Sequence, residues 1–180
     1  MKTTGIVRRI DELGRIVIPK EIRKTLKIKS GEPIEISVIE NEICLKKYSP
    51  LTISEKEIDS ICQILSSVAE KDVLITDTEK VVSASSGLKG CIGSYLTKDA
   101  VKIVADKKSL IINATEKTSA IKLTISDSEN YKNQLIVPII GSENDSFGII
   151  AMLDNEDNYK FTPAEIKLLR LTSKLVANKF

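Results

Sequence analysis

Residues 5–27 read GIVRRIDELGRIVIPKEIRKTLK, and these letters carry the strongest structural signal in the first part of the chain. Apolar and arginine residues alternate over 5–10, which predicts a strand because successive side chains of a strand point to opposite faces. A turn follows at 11–14, and residues 15–18 predict a second strand that a proline ends. Proline fits the first turn of a helix, where its missing N–H costs nothing, so a short helix is predicted over 19–27.

The predicted helix carries a basic stripe opposite an apolar one. At about 100° per residue, its basic side chains fall on one side: Lys20, Arg23, Lys24 and Lys27. Ile22 and Leu26 fall on the other side. Three more basic residues come from the strands and their turn: Arg8, Arg9 and Arg15. Arginine forks match phosphate and guanine edges, so the cluster indicates nucleic-acid binding; a solvated surface with ordinary charges is the alternative.

A hairpin completes the first module. Residues 34–38 and 43–47 alternate as strands around a turn at Asn41-Glu42. The apolar residues that the module must cover include Ile6, Ile10, Ile16, Ile18, Ile22, Leu26, Ile34 and Ile36. A unit this small cannot bury so many apolar side chains alone. Two copies are therefore expected to interlock and close a shared β-barrel.

Charge divides the chain of 180 residues near Pro50, which would end a strand and begin a connector. Residues 1–50 carry 11 Lys or Arg against 7 Asp or Glu, a balance of +4. Residues 51–180 carry 16 against 18, a balance of −2. We therefore expect two domains, 1–50 and 51–180, of which the first is basic.

The second module begins and ends with a helix. A capping box from Ser54 to Glu57 starts a helix that runs to about residue 70, and another from Thr162 to Glu165 starts a helix that runs to about residue 179. Strands are predicted between them at 73–75, 81–82, 110–112, 121–123, 135–140 and 147–153. This order predicts an α+β sheet with helices at both ends, so the whole chain is of mixed β and α+β class.

Composition excludes several kinds of site. The chain has no His, so it lacks a Ser-His or Cys-His dyad, a His base and a His-ligated metal. Cys44, Cys62 and Cys91 stand apart, which favours buried apolar residues over a disulfide framework. No apolar run reaches the roughly 20 residues of a transmembrane helix, and the N-terminus lacks a signal-peptide core. We expect a cytoplasmic protein with no catalytic residue, no metal and no cofactor.

Four segments of the first module match a known pattern: TGIVR at 4–8, DELGRIVIP at 11–19, EIRKTL at 21–26 and LKKY at 45–48. Together they resemble the swapped-hairpin DNA-binding domain of the AbrB-type transition-state regulators. The resemblance implies an intertwined dimer that binds double-stranded DNA. Matched residue by residue, the side chains facing DNA would be Arg8, Arg9, Arg15, Arg23 and Lys24. The family often has arginine where Lys24 stands, and lysine keeps the charge without the bidentate geometry.

The second module resembles a GAF domain. FGIIAML at 147–153, followed by Asp154-Asn155, Phe161-Thr162 and Glu165, is similar to the last strand and closing helix of that family. GAF domains often hold a small ligand between the sheet and its cap. The rim of such a pocket would be residues 83–95 with 114–131. An unidentified small ligand and a purely structural domain both stay open here.

An AbrB-type domain followed by a GAF domain is similar to regulators of late, forespore-specific transcription in endospore-forming bacteria. The resemblance implies a sequence-specific DNA-binding regulator, activator or repressor, in the forespore cytoplasm. The competing hypothesis is a sensing or antitoxin-like binding module whose basic domain contacts an acidic protein.

The last helix suggests further assembly, because its apolar residues span a wide arc: Leu168, Leu169, Leu171, Leu175 and Val176. A helix that is apolar over more than one face usually has more than one neighbour. We expect the GAF-like domains to associate through their terminal helices and to join two dimers into a tetramer. The alternative is that these leucines fill the junction with the linker.

Overall fold

The computed structural model describes residues 5–26, 28–31, 33–48, 55–113, 120–126 and 131–179. The chain divides into two compact units, Met1–Tyr48 and Ser49–Phe180. None of the helices in the described ranges combines the length and apolar character needed to cross a bilayer. The predicted cap at Ser54 and the basic side chain of Lys27 lie outside the described residues.

In the part of the first unit that the structure describes, there is one helix and one hairpin. Helix α1 spans Lys20–Thr25, and strand β1 (Ile34–Ile39) pairs antiparallel with strand β2 (Glu42–Lys47). The register places Glu35 opposite Lys46, with carboxylate and ammonium groups 3.2 Å apart. The predicted helix and hairpin are confirmed, although the helix is shorter than the predicted range.

Residues 5–18 form no paired strand within one chain, so the strands predicted at 5–10 and 15–18 are wrong for the single chain. A strand is held by hydrogen bonds to a neighbour and by packing of its side chains. The backbone bonds of this segment are confined to the turn, where Asp11 N–H donates to the Arg15 carbonyl oxygen at 3.1 Å. Val7 is 93% exposed and Val17 74% exposed. The alternating pattern is real, but one chain supplies no surface to complete it.

In its described residues, the second unit holds five strands, three α-helices and one 3₁₀ helix. Its strands are β3 (Asp72–Thr76), β4 (Val81–Ala84), β5 (Leu110–Ile112), β6 (Asn133–Ile140) and β7 (Ser146–Asp154). Its α-helices are α2 (Glu55–Ala69), α3 (Lys98–Asp106) and α4 (Pro163–Ala177), and the 3₁₀ helix spans Ser86–Cys91. The strands form one antiparallel sheet in the order β4-β3-β7-β6-β5.

Both faces of this sheet are buried, which makes three layers. Along β3, Val73 and Ile75 contribute to a core with α2 and α4, whereas Leu74 contributes to a core with α3 and the 3₁₀ helix. This alternation is the period-two rule applied to a sheet that is covered on both sides. Each core is continuous across β6 and β7, so neither face of the central strands is free.

The terminal helices share one face of the sheet, as the sequence predicts. Ile58 of α2 and Leu169 of α4 belong to the same core. The Lys179 ammonium lies 2.7 Å from the Glu57 carboxylate across the two helices. The predicted capping box of α4 is confirmed, since Thr162 and Glu165 bond each other's backbone N–H groups.

Two local predictions in this unit are wrong. Residues 121–123 form no strand; the neighbouring Thr124 makes an isolated bridge with Leu96 instead. Residues 83–95 are rich in Ser and Gly and therefore predict a loop, but they contain the end of β4 and the 3₁₀ helix, in which Leu88 is buried. Tertiary packing therefore orders a stretch whose serines and glycines favour a loop locally.

Of the three cysteines predicted to be buried, Cys62 is a core residue, whereas Cys44 and Cys91 are only half-buried. The Cys62 side chain is fully buried between α2 and the sheet, and its thiol donates to the carbonyl oxygen of Val73 over 3.6 Å. Burial raises the pKa of this thiol to about 11. It is therefore neutral at physiological pH and lacks the thiolate that nucleophilic chemistry needs.

Candidate nucleic-acid interface

A basic groove lies along helix α1. Its volume is about 360 Å³, and it is lined by Lys20, Arg23, Lys24, Ile28 and Lys29. The groove exists because the chain turns back at the end of the helix, where Ile28 N–H donates to the Arg23 carbonyl oxygen at 2.8 Å. This turn brings Lys29 beside the cations of the helix.

The electrostatics of the groove favour an anion. Four of its five lining side chains are cationic, and none is acidic. Among the described residues, none forms an ion pair with Lys20, Arg23 or Lys24. Cations without internal partners are available to phosphate oxygens, which Lys and Arg bind as charge-assisted acceptors.

Arg15 occupies a second, differently built position. The Asp11 carboxylate accepts the backbone N–H groups of Leu13 and Arg15, at 3.0 and 2.8 Å, and the Arg15 Nε–H at 2.7 Å. The hydrogen bond from the Arg15 backbone N–H is the largest cause of the lowered pKa of Asp11, and the hydrogen bond from the Arg15 side chain is the next largest. The Arg15 side chain stays 71% exposed. The turn therefore orients one edge of an arginine and leaves the rest of its guanidinium free for a ligand.

Arg8 and Arg9 are exposed on the extended segment before this turn. The α1 groove includes neither of them, nor Arg15. Of the five predicted DNA-facing residues, the structure brings Arg23 and Lys24 together in one groove and places the other three on the segment 5–15.

Sequence reasoning missed one member of the groove and undervalued another. Lys29 lies after the predicted helix, so helical spacing does not place it on the basic stripe. Lys20 lies on that stripe but is not among the predicted DNA-facing residues. The sequence signal for Lys29 is its short separation from Arg23. Because the chain reverses direction between them, the two residues lie close together. Helical periodicity alone does not reveal such a reversal.

A family model described as "Stage V sporulation protein T C-terminal, transcription factor" matches residues 56–180. Stage V sporulation protein T of Bacillus subtilis (strain 168) is 34% identical over 160 residues, which cover 87% of this chain and 86% of that protein. The chain belongs to the stage V sporulation protein T family. This kinship extends across both units rather than the second one alone.

The two units also match relatives of their own. Residues 7–52 match a family model described as "Antidote-toxin recognition MazE, bacterial antitoxin". The transition state regulatory protein AbrB of Bacillus subtilis (strain 168) is 41% identical over 83 residues, 46% of this chain and 78% of that protein. The GAF domain of an Acinetobacter phosphoenolpyruvate-protein phosphotransferase superposes with a TM-score of 0.57 at 12% identity, covering 69% of this chain and 80% of that one.

These findings confirm the predicted class, an AbrB-like unit followed by a GAF-like unit. At 12% identity the phosphotransferase domain shares the fold alone, and its chemistry does not transfer. The family model over residues 56–180 is described as a transcription factor, and the AbrB relative is named a transition state regulatory protein.

Proposed function

We propose that this member of the family is a transcription regulator that binds double-stranded DNA. In this proposal residues 1–50 read DNA, and residues 51–180 serve as an oligomerisation or sensing domain. The observation that carries it is the α1 groove, whose described lining includes four cations and no acidic side chain. The description of the matched family model as a transcription factor and the name of the regulatory protein AbrB support the same function.

The DNA-facing residues in this proposal are Arg8, Arg9, Arg15, Arg23 and Lys24, with Lys20 and Lys29 as further phosphate contacts. Arg15, which Asp11 orients, and Arg23, which lines the α1 groove, are proposed to read base edges, because a guanidinium can donate two parallel hydrogen bonds to guanine. The lysines supply charge without sequence information. The effect on sporulation genes, activation or repression in the forespore, follows from the operator's position rather than from this geometry.

A mobility shift across a salt series tests the proposal. Phosphate-dominated binding weakens with a log–log slope of about −0.9 per neutralised phosphate, so we expect a steep loss of affinity between about 50 and 200 mM salt. Lys20→Ala/Lys29→Ala should make the slope shallower by about 1 per lost phosphate contact. The matched variant Lys160→Ala/Lys167→Ala, on exposed lysines of the second unit, should leave it unchanged. A salt-independent affinity would contradict DNA as the ligand.

A second candidate keeps the same groove but gives it an acidic protein as ligand. The match of residues 7–52 to an antitoxin family favours this alternative. The salt series separates the two candidates. Only the first predicts a DNA complex whose affinity falls with salt in proportion to the number of phosphates neutralised.

The first unit is proposed to dimerise by strand exchange. Residues 5–18 lack a partner in one chain, and the hairpin exposes Ile36 (69%), Val38 (73%) and Ile43 (70%). Two copies would satisfy both sets of residues at once, with each segment pairing on the other copy's hairpin.

Residues 1–50, expressed alone, are therefore expected to sediment as a dimer at micromolar concentration. The driving force is burial of the apolar side chains that one copy leaves in water, at about 25 cal/mol per Å². Sedimentation equilibrium measures the mass, and circular dichroism shows whether the fragment is folded. A folded monomer would rule out the interlocked barrel.

The second unit is proposed to associate through α2 and α4 and so to join two dimers into a tetramer. Ile64 and Val68 of α2 are 63% and 66% exposed, and Leu171 and Leu175 of α4 are 56% and 53% exposed. Leu169 and Val176 face the core instead. The wide apolar arc of α4 thus splits into a packed half and an exposed half.

Leu171→Glu/Leu175→Glu should convert the tetramer into a dimer, because the new carboxylates would be buried without partners at the helix interface. Light scattering of the full chain gives the mass. Val101→Glu, at an exposed apolar position on α3, is the control and should leave the mass unchanged. A dimeric unmodified chain would contradict the helix interface.

A further inference from the structure

The second unit has a surface that none of the functions above uses. Tyr95 is the bridge partner of Lys80 on one side, and its carbonyl oxygen accepts the Ile125 N–H at 2.9 Å on the other. The neighbouring residues Leu96 and Thr124 also form a bridge and are both buried. Lys80, Tyr95 and Ile125 consequently stand side by side on the outer side of this short ribbon.

Tyr95 and Ile125 are more exposed to solvent than large apolar side chains usually are. Tyr95 is 62% exposed and Ile125 is 66% exposed, although each has a buried residue next to it in the chain. Tyrosine is enriched at the centres of protein–protein interfaces, and the buried core of an interface is more apolar than its rim. The backbone of the pair is held by hydrogen bonds, so the anchors are presented on an ordered ribbon rather than on a free loop.

Lysines surround this apolar pair. Besides Lys80, Lys98 starts α3 three residues after Tyr95, and Lys122 is tied to the same place because Thr97 Oγ1 donates to its carbonyl oxygen at 2.5 Å. All three lysines are exposed, and within the described residues none forms an ion pair.

Acidic residues also occur beside this surface, but they do not match the lysines in number. Asp99 is exposed in the first turn of α3, where a carboxylate favours the helix N-terminus. Glu79 is half-buried and has a partner of its own. The described part of the surface therefore carries a net positive rim.

We propose that the Tyr95 surface, formed by Lys80, Tyr95, Lys98, Lys122 and Ile125, docks an acidic protein segment that carries apolar side chains. The apolar side chains of the partner would cover Tyr95 and Ile125, and its carboxylates would meet the lysine rim. Duplex DNA fits this surface less well, because its centre is apolar and its cations are lysines without an arginine fork. The site lies wholly in the second unit and is independent of the α1 groove.

Selection from short random peptides displayed on phage, against the immobilised full chain, tests this assignment. Enriched peptides are expected to combine Asp or Glu with Phe, Leu or Ile, and one of them, synthesised with a fluorescent label, serves as the probe. Tyr95→Ser/Ile125→Ser and Lys98→Glu/Lys122→Glu should each weaken its binding by at least about tenfold. Lys160→Glu/Lys167→Glu, on exposed lysines elsewhere in the unit, should bind the peptide normally.

The melting temperature of each variant shows whether it folds, and it should change little because the substituted side chains are exposed. No enrichment of acidic peptides, or peptide binding that survives both pairs of substitutions in folded protein, would overturn the proposal. A loss of duplex-DNA affinity in Lys98→Glu/Lys122→Glu, with peptide binding intact, would assign the lysines to DNA and would also overturn it.

Discussion

Arg15→Ala and Arg23→Ala are each expected to weaken DNA binding by about 1–3 kcal/mol, which is the discrimination that a guanidinium on a base edge supplies. The two residues sit in different settings, one on the Asp11 turn and one in the α1 groove. Fluorescence anisotropy with a duplex selected by the full chain from random DNA measures the loss. Folding should be unaffected, because both side chains belong to exposed residues.

The control for this pair is Arg170→Ala, which removes an exposed arginine from α4 and should leave affinity unchanged. If Arg23 contacts a guanine, replacing the guanines of the duplex removes that contact. The Arg23→Ala variant and the unmodified chain should then bind the altered duplex with about equal affinity. Unchanged affinity of both arginine variants, with normal melting, would remove these residues from the interface.

Gly148→Ala is expected to lower the free energy of unfolding of the second unit by about 3–5 kcal/mol. Gly148 lies in β7 with φ at +151°, and an added Cβ would stand 1.8 Å from the carbonyl oxygen of Thr76. That oxygen belongs to the backbone of β3, so it cannot move away without disturbing the pairing of two central strands. A loss of this size corresponds to a fall in melting temperature of about 10 °C.

Thermal unfolding followed by circular dichroism measures the effect. Gly90→Ala is the matched control, because nothing lies within 4 Å of its added Cβ and its φ is unremarkable. It should change stability by less than about 0.5 kcal/mol. Equal melting temperatures for the two variants would show that β7 can shift to accept a side chain.

The elements that sequence predicts best are those whose signals are local. The capping box at Thr162 and Glu165 predicts the start of α4, and the alternation of apolar and polar residues predicts β1 and β2. Residues 5–18 alternate equally well and yet form no strand in one chain. Periodicity reports which side chains need covering, but it does not say which molecule covers them.

The site shows the same division between local and non-local information. Arg23 and Lys24 could be placed on one basic face because both belong to a single helix. Lys29 could not, because its position depends on the hydrogen bond from Ile28 that reverses the chain. The 3₁₀ helix over Ser86–Cys91 was missed for a related reason, since burial of Leu88 stabilises it and its own residue preferences do not.

Under the proposed function, the Asp11 turn affects how the DNA-binding domain discriminates between its operator and other sequences. Asp11 restricts the Arg15 side chain before any DNA arrives, so part of the rotamer entropy lost on binding is already lost in folding. The same carboxylate is a negative charge beside the arginine that is proposed to face DNA, so it would repel a phosphate group brought close to it. Replacing Asp11 with a neutral residue would therefore strengthen binding to all DNA sequences and reduce the difference in affinity between the operator and other sequences. In this proposal, repulsion by Asp11 contributes to specificity.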